Sequence, residues 1–181
     1  GSNDSGADGM AFVLKDNPSA VIGNDGGWLG YGGISPSLAV EFDTHNNTPQ
    51  SGWGDLPEDH IAIMKNGNPD HNLASNLAGP VQASAANINI EDGEEHEIKI
   101  EWDATTTTLS VFFDCDLRST YTGDIINDIF SGDNSVYFGF VGSTGAAANL
   151  NKVCFNSVSF VDNLLLQNEE ICEGESIHVD A

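Results

Sequence analysis

The sequence predicts an all-β fold, either a sandwich or a jelly roll of antiparallel strands. Short runs of alternating apolar and polar residues follow one another, and a period of two is the side-chain period of a strand. Gly, Asn, Asp and Ser cluster between the runs, as they do in turns, and no helical segments alternate with the strands. The runs span 9–15, 37–44, 59–65, 95–103, 106–114, 135–142 and 152–161.

The run 37–44 carries two acids on one of its faces. Glu41 and Asp43 are two positions apart, so their side chains point the same way, and apolar residues occupy the opposite face. Neighbouring carboxylates repel each other, and burial without a counter-charge is unfavourable by on the order of several kcal/mol. A divalent cation removes this conflict. Oxygen ligands favour calcium, and a set that includes an imidazole favours manganese or another transition metal.

The runs 95–103 and 106–114 predict a hairpin. In the first run Ile100 and Trp102 alternate with charged residues, and the residues between the two runs have the chemistry of a tight turn. The segment 124–130 is the one helix-like stretch and predicts a single turn of helix.

Composition excludes two classes of partner. The chain has 181 residues and a formal net charge of −23, because 28 acidic residues face only 5 Lys and Arg. Almost nothing is left to neutralise phosphates, so neither nucleic acid nor an anionic membrane surface is expected as a partner. No apolar run is long enough to span a bilayer, so membrane insertion is not expected. Most of the acids are interpreted as a solubilising surface.

The three cysteines contain no CxxC pair, which argues against a zinc knuckle or a thioredoxin-type site. Cys115 follows one strand-like run and Cys154 lies inside another. A Cys115–Cys154 disulfide is therefore the favoured pairing, and two buried free thiols are the alternative. Cys172 would then be left to pair with a partner elsewhere.

The chain changes character after residue 161. We expect one β domain over 1–161 and a linker over 162–170. The segment 171–181 resembles the first strand of an Ig-like or PKD-like module of large bacterial surface proteins, and a disordered tail is the alternative.

Five blocks of the sequence resemble those of the L-type (legume-like) lectins, and they occur in the order of that family. The bacterial branch is the most similar. The blocks are 7–12 (ADGMAF), 26–30 (GGWLG), 39–44 (AVEFDT), 59–63 (DHIAI) and 136–145 (VYFGFVGSTG).

The resemblance implies a concanavalin A-like jelly roll with two adjacent metal sites. The ligands that it implies for calcium are Asp43, the backbone carbonyl of His45, Asn47 and Asp55. The ligands that it implies for a manganese-type site are Glu41, Asp43, Asp55 and His60. Family members usually have several strands before the first block, so we also expect N-terminal strands of the fold to be missing from this sequence.

The resemblance further implies a sugar site beside the calcium. Asp8 would accept hydrogen bonds from sugar hydroxyls after a cis Ala7–Asp8 bond, and Asn47 would contact both calcium and sugar. The backbone N–H of Gly27 would donate to a hydroxyl, and a glycine there allows close approach. Specificity contacts are expected from the loop 143–151, namely from Ala148, Asn149 and Leu150.

Other residues receive weaker interpretations. Trp28 or Trp53 would suit stacking on a sugar face, although core packing is favoured for both. His71 and His96 are interpreted as surface and strand residues without a role. A jelly-roll glycoside hydrolase would need Glu-x-Asp-x-x-Glu on the metal strand, but Asn46 occupies the last position, so an enzyme is not expected.

The resulting hypothesis is a calcium-dependent carbohydrate-binding module of a secreted or cell-surface bacterial adhesin. Its partners would be glycans and further modules of the same long chain. The alternative is a module of a surface protein that the metals stabilise but that binds no sugar.

Overall fold

The structure is a computed structural model that describes residues 6–161 and 166–169. The chain divides into two compact units, the first ending at Asn151 and the second beginning at Lys152. The predicted module start at 171–181, including Cys172, lies outside the described residues, and the predicted domain limits remain a prediction.

The first unit contains a five-stranded antiparallel sheet that carries most of the functional candidates. The strands lie in the order β4-β3-β2-β1-β8, so β2 is the central strand. They are β1 (Gly9–Lys15), β2 (Ser37–Asp43), β3 (His60–Lys65), β4 (Asn76–Gln82) and β8 (Tyr137–Ser143).

A three-stranded antiparallel sheet lies against it. Its strands are consecutive hairpins in the order β5-β6-β7, namely β5 (Ile98–Asp103), β6 (Thr108–Phe113) and β7 (Asp116–Thr122). The turn between β6 and β7 consists of Asp114 and Cys115, both with positive φ (49° and 70°). Two residues of positive φ are typical of a tight turn whose twist matches that of the two strands.

The core lies between these two sheets, as a sandwich requires. Leu38 and Val40 of β2 pack in one cluster with Leu109 and Val111 of β6, and all four are almost fully buried. The short helix α2 (Ile125–Asp128) adds further apolar side chains to the same cluster. The predicted sandwich of two antiparallel sheets is confirmed.

The central strand β2 is buried on both of its faces. A second cluster, which includes Leu29 and Tyr31 from the segment before β2, covers the face opposite the main core. Glu41 lies on this covered face and is 0% exposed. The two acids of β2 are therefore held inside the unit.

Most predicted strands are present, with β1 at its predicted limits and most of the others one to three residues shorter at an end. β4 and β7 were missed. β4 contains Gly79 and Pro80, and a proline inside an apolar run argues against a strand unless the strand is at an edge. β4 is indeed an edge strand of its sheet. The predicted helical turn at 124–130 corresponds to α2.

The second unit contains an antiparallel pair of strands, β9 (Val158–Val161) and β10 (Leu166–Glu169). β9 is much shorter than the predicted run 152–161, and β10 falls within the predicted linker.

Cys115 and Cys154 are exposed free thiols, so the structure does not contain the predicted disulfide between them. Cys115 occupies a hairpin turn and Cys154 lies outside any strand, which is why neither is buried as expected. Among the described residues, no helix has the length and apolar character needed to cross a membrane.

Candidate functional site

The site is built first on the end of β2 and the start of β3. Asp43 and His60 are direct cross-strand partners, and Asp43 Oδ2 lies 3.9 Å from His60 Nε2. The other ring nitrogen of His60, Nδ1, is 3.1 Å from the backbone carbonyl of Glu58. A carbonyl only accepts, so Nδ1 carries the proton and Nε2 presents a lone pair to the carboxylate cluster.

Glu41 is held at both of its carboxylate oxygens. Its Oε2 accepts a hydrogen bond of 2.7 Å from the hydroxyl of Tyr31, and its Oε1 contacts Nε2 of His71. Burial, followed by the charge of Glu41, raises the pKa of Tyr31 well above its usual value, so the phenol keeps the proton that it donates.

The loop after β2 brings in the remaining acid. The backbone N–H of His45 donates to Asp43 Oδ1 over 2.7 Å, and that of Asn47 donates to Asp55 Oδ2 over 2.6 Å. A short helix, α1 (Thr48–Ser51), shortens the path between Asn47 and Asp55. The loop therefore reaches back, and Asp55 is 8% exposed beside the β2 acids.

His71 joins this cluster, although the sequence interpretation gave it no role and placed it on the surface. That interpretation is wrong. The imidazole side chain is 3% exposed, contacts Glu41, and has Nδ1 3.3 Å from Asp55 Oδ1. The Asp-His pair at 70–71, eleven residues after His60, was the only available signal, and local periodicity could not show where a loop folds.

The charges in the cluster are strongly coupled. Burial, and then the charge of Glu41, raises the pKa of Asp43 well above its usual range. Burial lowers the pKa of His60. Burial also opposes the charged form of His71, but the carboxylates of Asp55 and Glu41 outweigh it and raise its pKa to about 10. Excess negative charge is thus the dominant electrostatic feature.

The donor atoms are suited to divalent ions. Ligand atoms of Asp43, Asp55 and His60 lie within 4.8 Å of one another, and those of Glu41, His60 and His71 form a second such group. His60 Nε2 is buried and makes no hydrogen bond within the described part of the chain. An unpaired buried lone pair beside crowded carboxylates matches the requirements of a metal site.

The predicted sugar-contacting residues lie at the edge of this cluster. The Ala7–Asp8 bond is cis, as the resemblance implied. Asp8 is 4% exposed, and burial raises the pKa of its carboxyl. Its Oδ2 and the Oδ1 of Asn47 are buried without a hydrogen-bond partner among the described residues. A Cβ atom at Gly27 would lie 2.6 Å from Asn47 Oδ1, so the backbone of Gly27 directly faces the amide.

The loop 143–151 borders the same region. Asn149 donates to the hydroxyl of Thr44 over 2.7 Å, and Ser143 donates to the carbonyl of Gly26 over 2.5 Å. Leu150 is 98% exposed and Ala148 is exposed as well. The loop is therefore held at the site by polar residues and exposes the apolar side chains of Ala148 and Leu150 to solvent.

The two tryptophans considered for sugar stacking are partners of each other. Trp28 and Trp53 pack edge to face with ring centroids 5.2 Å apart, and both are partly exposed. Trp28 also lies against Gly32, where a Cβ would collide with its ring. The contact between the two tryptophan rings connects the 3₁₀ turn at Gly26–Trp28 to the loop that carries Asp55.

Fold and site together define a jelly-roll domain with a buried acidic cluster at the end of its central strand. Residues 1–157 match the family model of the legume lectin beta-barrel domain. The chain belongs to the L-type lectin family, a family of carbohydrate-binding domains.

Individual relatives are distant. The chain is 26% identical over 174 residues to pesticidal crystal protein Cry22Aa of Bacillus thuringiensis, with 84% of this chain and 24% of that protein covered. It is 23% identical to the serine-rich adhesin for platelets of Staphylococcus aureus, covering 90% of this chain and 8% of the adhesin. It is 28% identical to a probable L-type lectin-domain containing receptor kinase, S.5, of Arabidopsis thaliana, with 87% of this chain and 24% of the kinase covered. The chain thus spans a quarter or less of these relatives.

A solved structure supports the fold. Lectin UEA-II, in a complex with galactose, superposes with a TM-score of 0.54 at 23% identity, covering 82% of this chain and 62% of the lectin. At this identity the similarity establishes the jelly-roll fold, and the function rests on the residues of the site.

Proposed function

We propose that this chain is a metal-dependent carbohydrate-binding module of a secreted or cell-surface bacterial adhesin. The observation that carries the proposal is the position of Asn47. Its backbone N–H is fixed by Asp55, its Oδ1 is buried without a hydrogen-bond partner among the described residues, and Gly27 lies directly against it. A side chain placed in this way can connect a cation to a ligand hydroxyl.

The proposed roles follow the chemistry of each donor. The proposed calcium ligands are Asp43, the backbone carbonyl of His45, Asn47 and Asp55, and the proposed manganese-type ligands are Glu41, Asp43, Asp55 and His60. Bound divalent ions would neutralise the carboxylates and hold the loop after β2 in place. Asp8 offers an unpaired carboxylate oxygen to sugar hydroxyls, and hydrogen bonds to a charged acceptor are among the strong ones.

The adhesin context is suggested by the staphylococcal relative, which is a serine-rich adhesin for platelets. A net charge of −23 is compatible with an extracellular, calcium-containing medium. Affinity of one module for one sugar is expected to be weak, so adhesion would depend on several modules acting together.

A glycan array with and without a chelator tests the proposal. We expect binding that the chelator removes and that calcium restores. Asp43→Ala should abolish both metal and glycan binding, whereas Asp8→Ala should abolish glycan binding and leave calcium binding intact. Asp116→Ala, an exposed acid at the start of β7, is the matched control. Glycan binding that survives Asp8→Ala would place the sugar elsewhere, and metal binding without any glycan binding would favour the structural alternative.

A glycine pair provides a second, sterically defined test. Gly27→Ala would put a methyl group 2.6 Å from Asn47 Oδ1, while Gly139→Ala on β8 meets nothing within 4 Å. We expect Gly27→Ala to weaken glycan binding by about tenfold or more, the effect of losing roughly one good polar contact. Equal affinities of the two variants would exclude Gly27 from the site.

A further inference from the structure

His71 is buried in the acidic cluster in the position of a metal ligand. Its ring lies edge to face with that of His60, with centroids 5.3 Å apart, and donor atoms of Glu41, His60 and His71 lie within 4.8 Å of one another. Donors that bind one ion at about 2.0–2.2 Å are separated by up to about 4.4 Å, so small side-chain adjustments bring all three within reach of one ion.

The chain holds His71 in this position by its backbone. The N–H of His71 donates to the carbonyl of Trp53 over 2.9 Å, and its carbonyl accepts from the side-chain amide of Asn76 over 3.0 Å. The turn that directs the loop back contains Asn66 and Gly67, both with positive φ. The imidazole is therefore anchored at the end of a fixed loop.

We propose that His71 is a second imidazole ligand of the manganese-type site, and that the site consequently selects a late first-row divalent ion, such as Zn²⁺, Co²⁺ or Ni²⁺, over Mn²⁺. Affinity at nitrogen and oxygen sites generally rises from Mn²⁺ toward Cu²⁺, and imidazole suits the later ions better than carboxylate does, so an added imidazole strengthens the preference for the later ions. The donor set here becomes two imidazoles, His60 and His71, with carboxylates of the β2 cluster. The inference rests on the metal sites of the proposed function but requires no sugar to bind.

Metal binding by the full, chelator-stripped chain provides the test. In competition titrations we expect Zn²⁺ or Co²⁺ to bind at least about tenfold more tightly than Mn²⁺. His71→Asn should weaken Zn²⁺ or Co²⁺ binding more than Mn²⁺ binding and so reduce this preference. His96→Asn is the control, because His96 contacts Asp92 and Asp114, away from the cluster. Unchanged selectivity in a folded His71→Asn variant would overturn the proposal.

A spectroscopic readout on the unmodified chain is independent of any folding defect. With one equivalent of Cu²⁺ as the probe, electron paramagnetic resonance should show two imidazole nitrogens in the wild type and in His96→Asn. One coordinated nitrogen in the wild type would overturn the role of His71. Absence of metal binding to the wild type would overturn the proposed metal sites together with this inference. Loss of metal binding in Asp43→Asn, together with unchanged ion selectivity in His71→Asn, would retain the metal sites and reject His71 alone.

Discussion

Tyr31→Phe removes one oxygen atom at the most buried hydrogen bond of the site. The hydroxyl donates to Glu41 Oε2 over 2.7 Å, and both residues are 0% exposed, so water cannot replace it. A hydrogen bond to a charged group contributes about 1.5–3 kcal/mol. For a domain of this size each kcal/mol shifts Tm by about 2–4 °C, so we expect Tm to fall by about 3–12 °C.

Thermal unfolding with chelator, followed by circular dichroism, measures this effect without metal. Tyr137→Phe is the matched control, because it removes the same oxygen atom from a tyrosine of β8 that is 39% exposed. The Tm of this variant should differ from that of the wild type by less than about 1 °C. With metal added, Tyr31→Phe should also weaken metal binding by about tenfold to a hundredfold, because Glu41 loses the group that orients it. Equal melting of Tyr31→Phe and Tyr137→Phe would refute the reasoning.

Two further predictions concern the rest of the fold. Burial lowers the pKa of His96, but Asp114 and Asp92 raise it more, so the pKa lies above its usual value. The resulting stabilisation is present below about pH 6.5 and is lost as the pH rises through the folded-state pKa. The Tm difference between the wild type and His96→Asn should therefore decrease between about pH 5 and about pH 9. A difference that increases with pH would contradict this assignment. Leu38→Ala empties a fully buried position between the sheets and should destabilise by about 2–5 kcal/mol in urea unfolding, whereas Leu73→Ala, at a residue that is 50% exposed, should have little effect. Similar losses for both variants would mean that the core is placed wrongly.

Local sequence patterns predicted the fold where the strands alternate regularly. The alternation of side chains with a period of two was sufficient to predict β1 and β2. The positions of turn residues were sufficient to separate β5 from β6. β4 was missed because Gly79-Pro80 interrupts it, and an edge position that tolerates proline is a property of the sheet that local sequence does not reveal. The predicted disulfide had no support beyond the placement of Cys115 and Cys154 near strands, and geometry decides such pairings.

The site was predictable as far as strand geometry and the family pattern extend. Glu41 and Asp43 follow from alternation alone, and His60 opposes Asp43 because of the register between β2 and β3. Asp55 required the family pattern, because it lies on a loop whose path is set by α1. His71 could not be predicted, since its burial depends on a hydrogen bond between the loops before and after β3, which local sequence does not reveal.

The proposed dependence of sugar binding on metal needs no long-range conformational change. The backbone N–H of Thr44, next to Asp43, donates to the carbonyl of Asp8 over 3.0 Å. Gly9 pairs with Asp43 across β1 and β2, so the residue after Asp8 lies directly beside the acid. Any ion that fixes Asp43 therefore acts on the chain segment that carries Asp8 through one hydrogen bond. This coupling should weaken gradually as the loop after β2 loosens. The main core lies on the opposite face of the sheet. At low chelator concentration we therefore expect glycan affinity to fall before the cooperativity of unfolding of the main core falls.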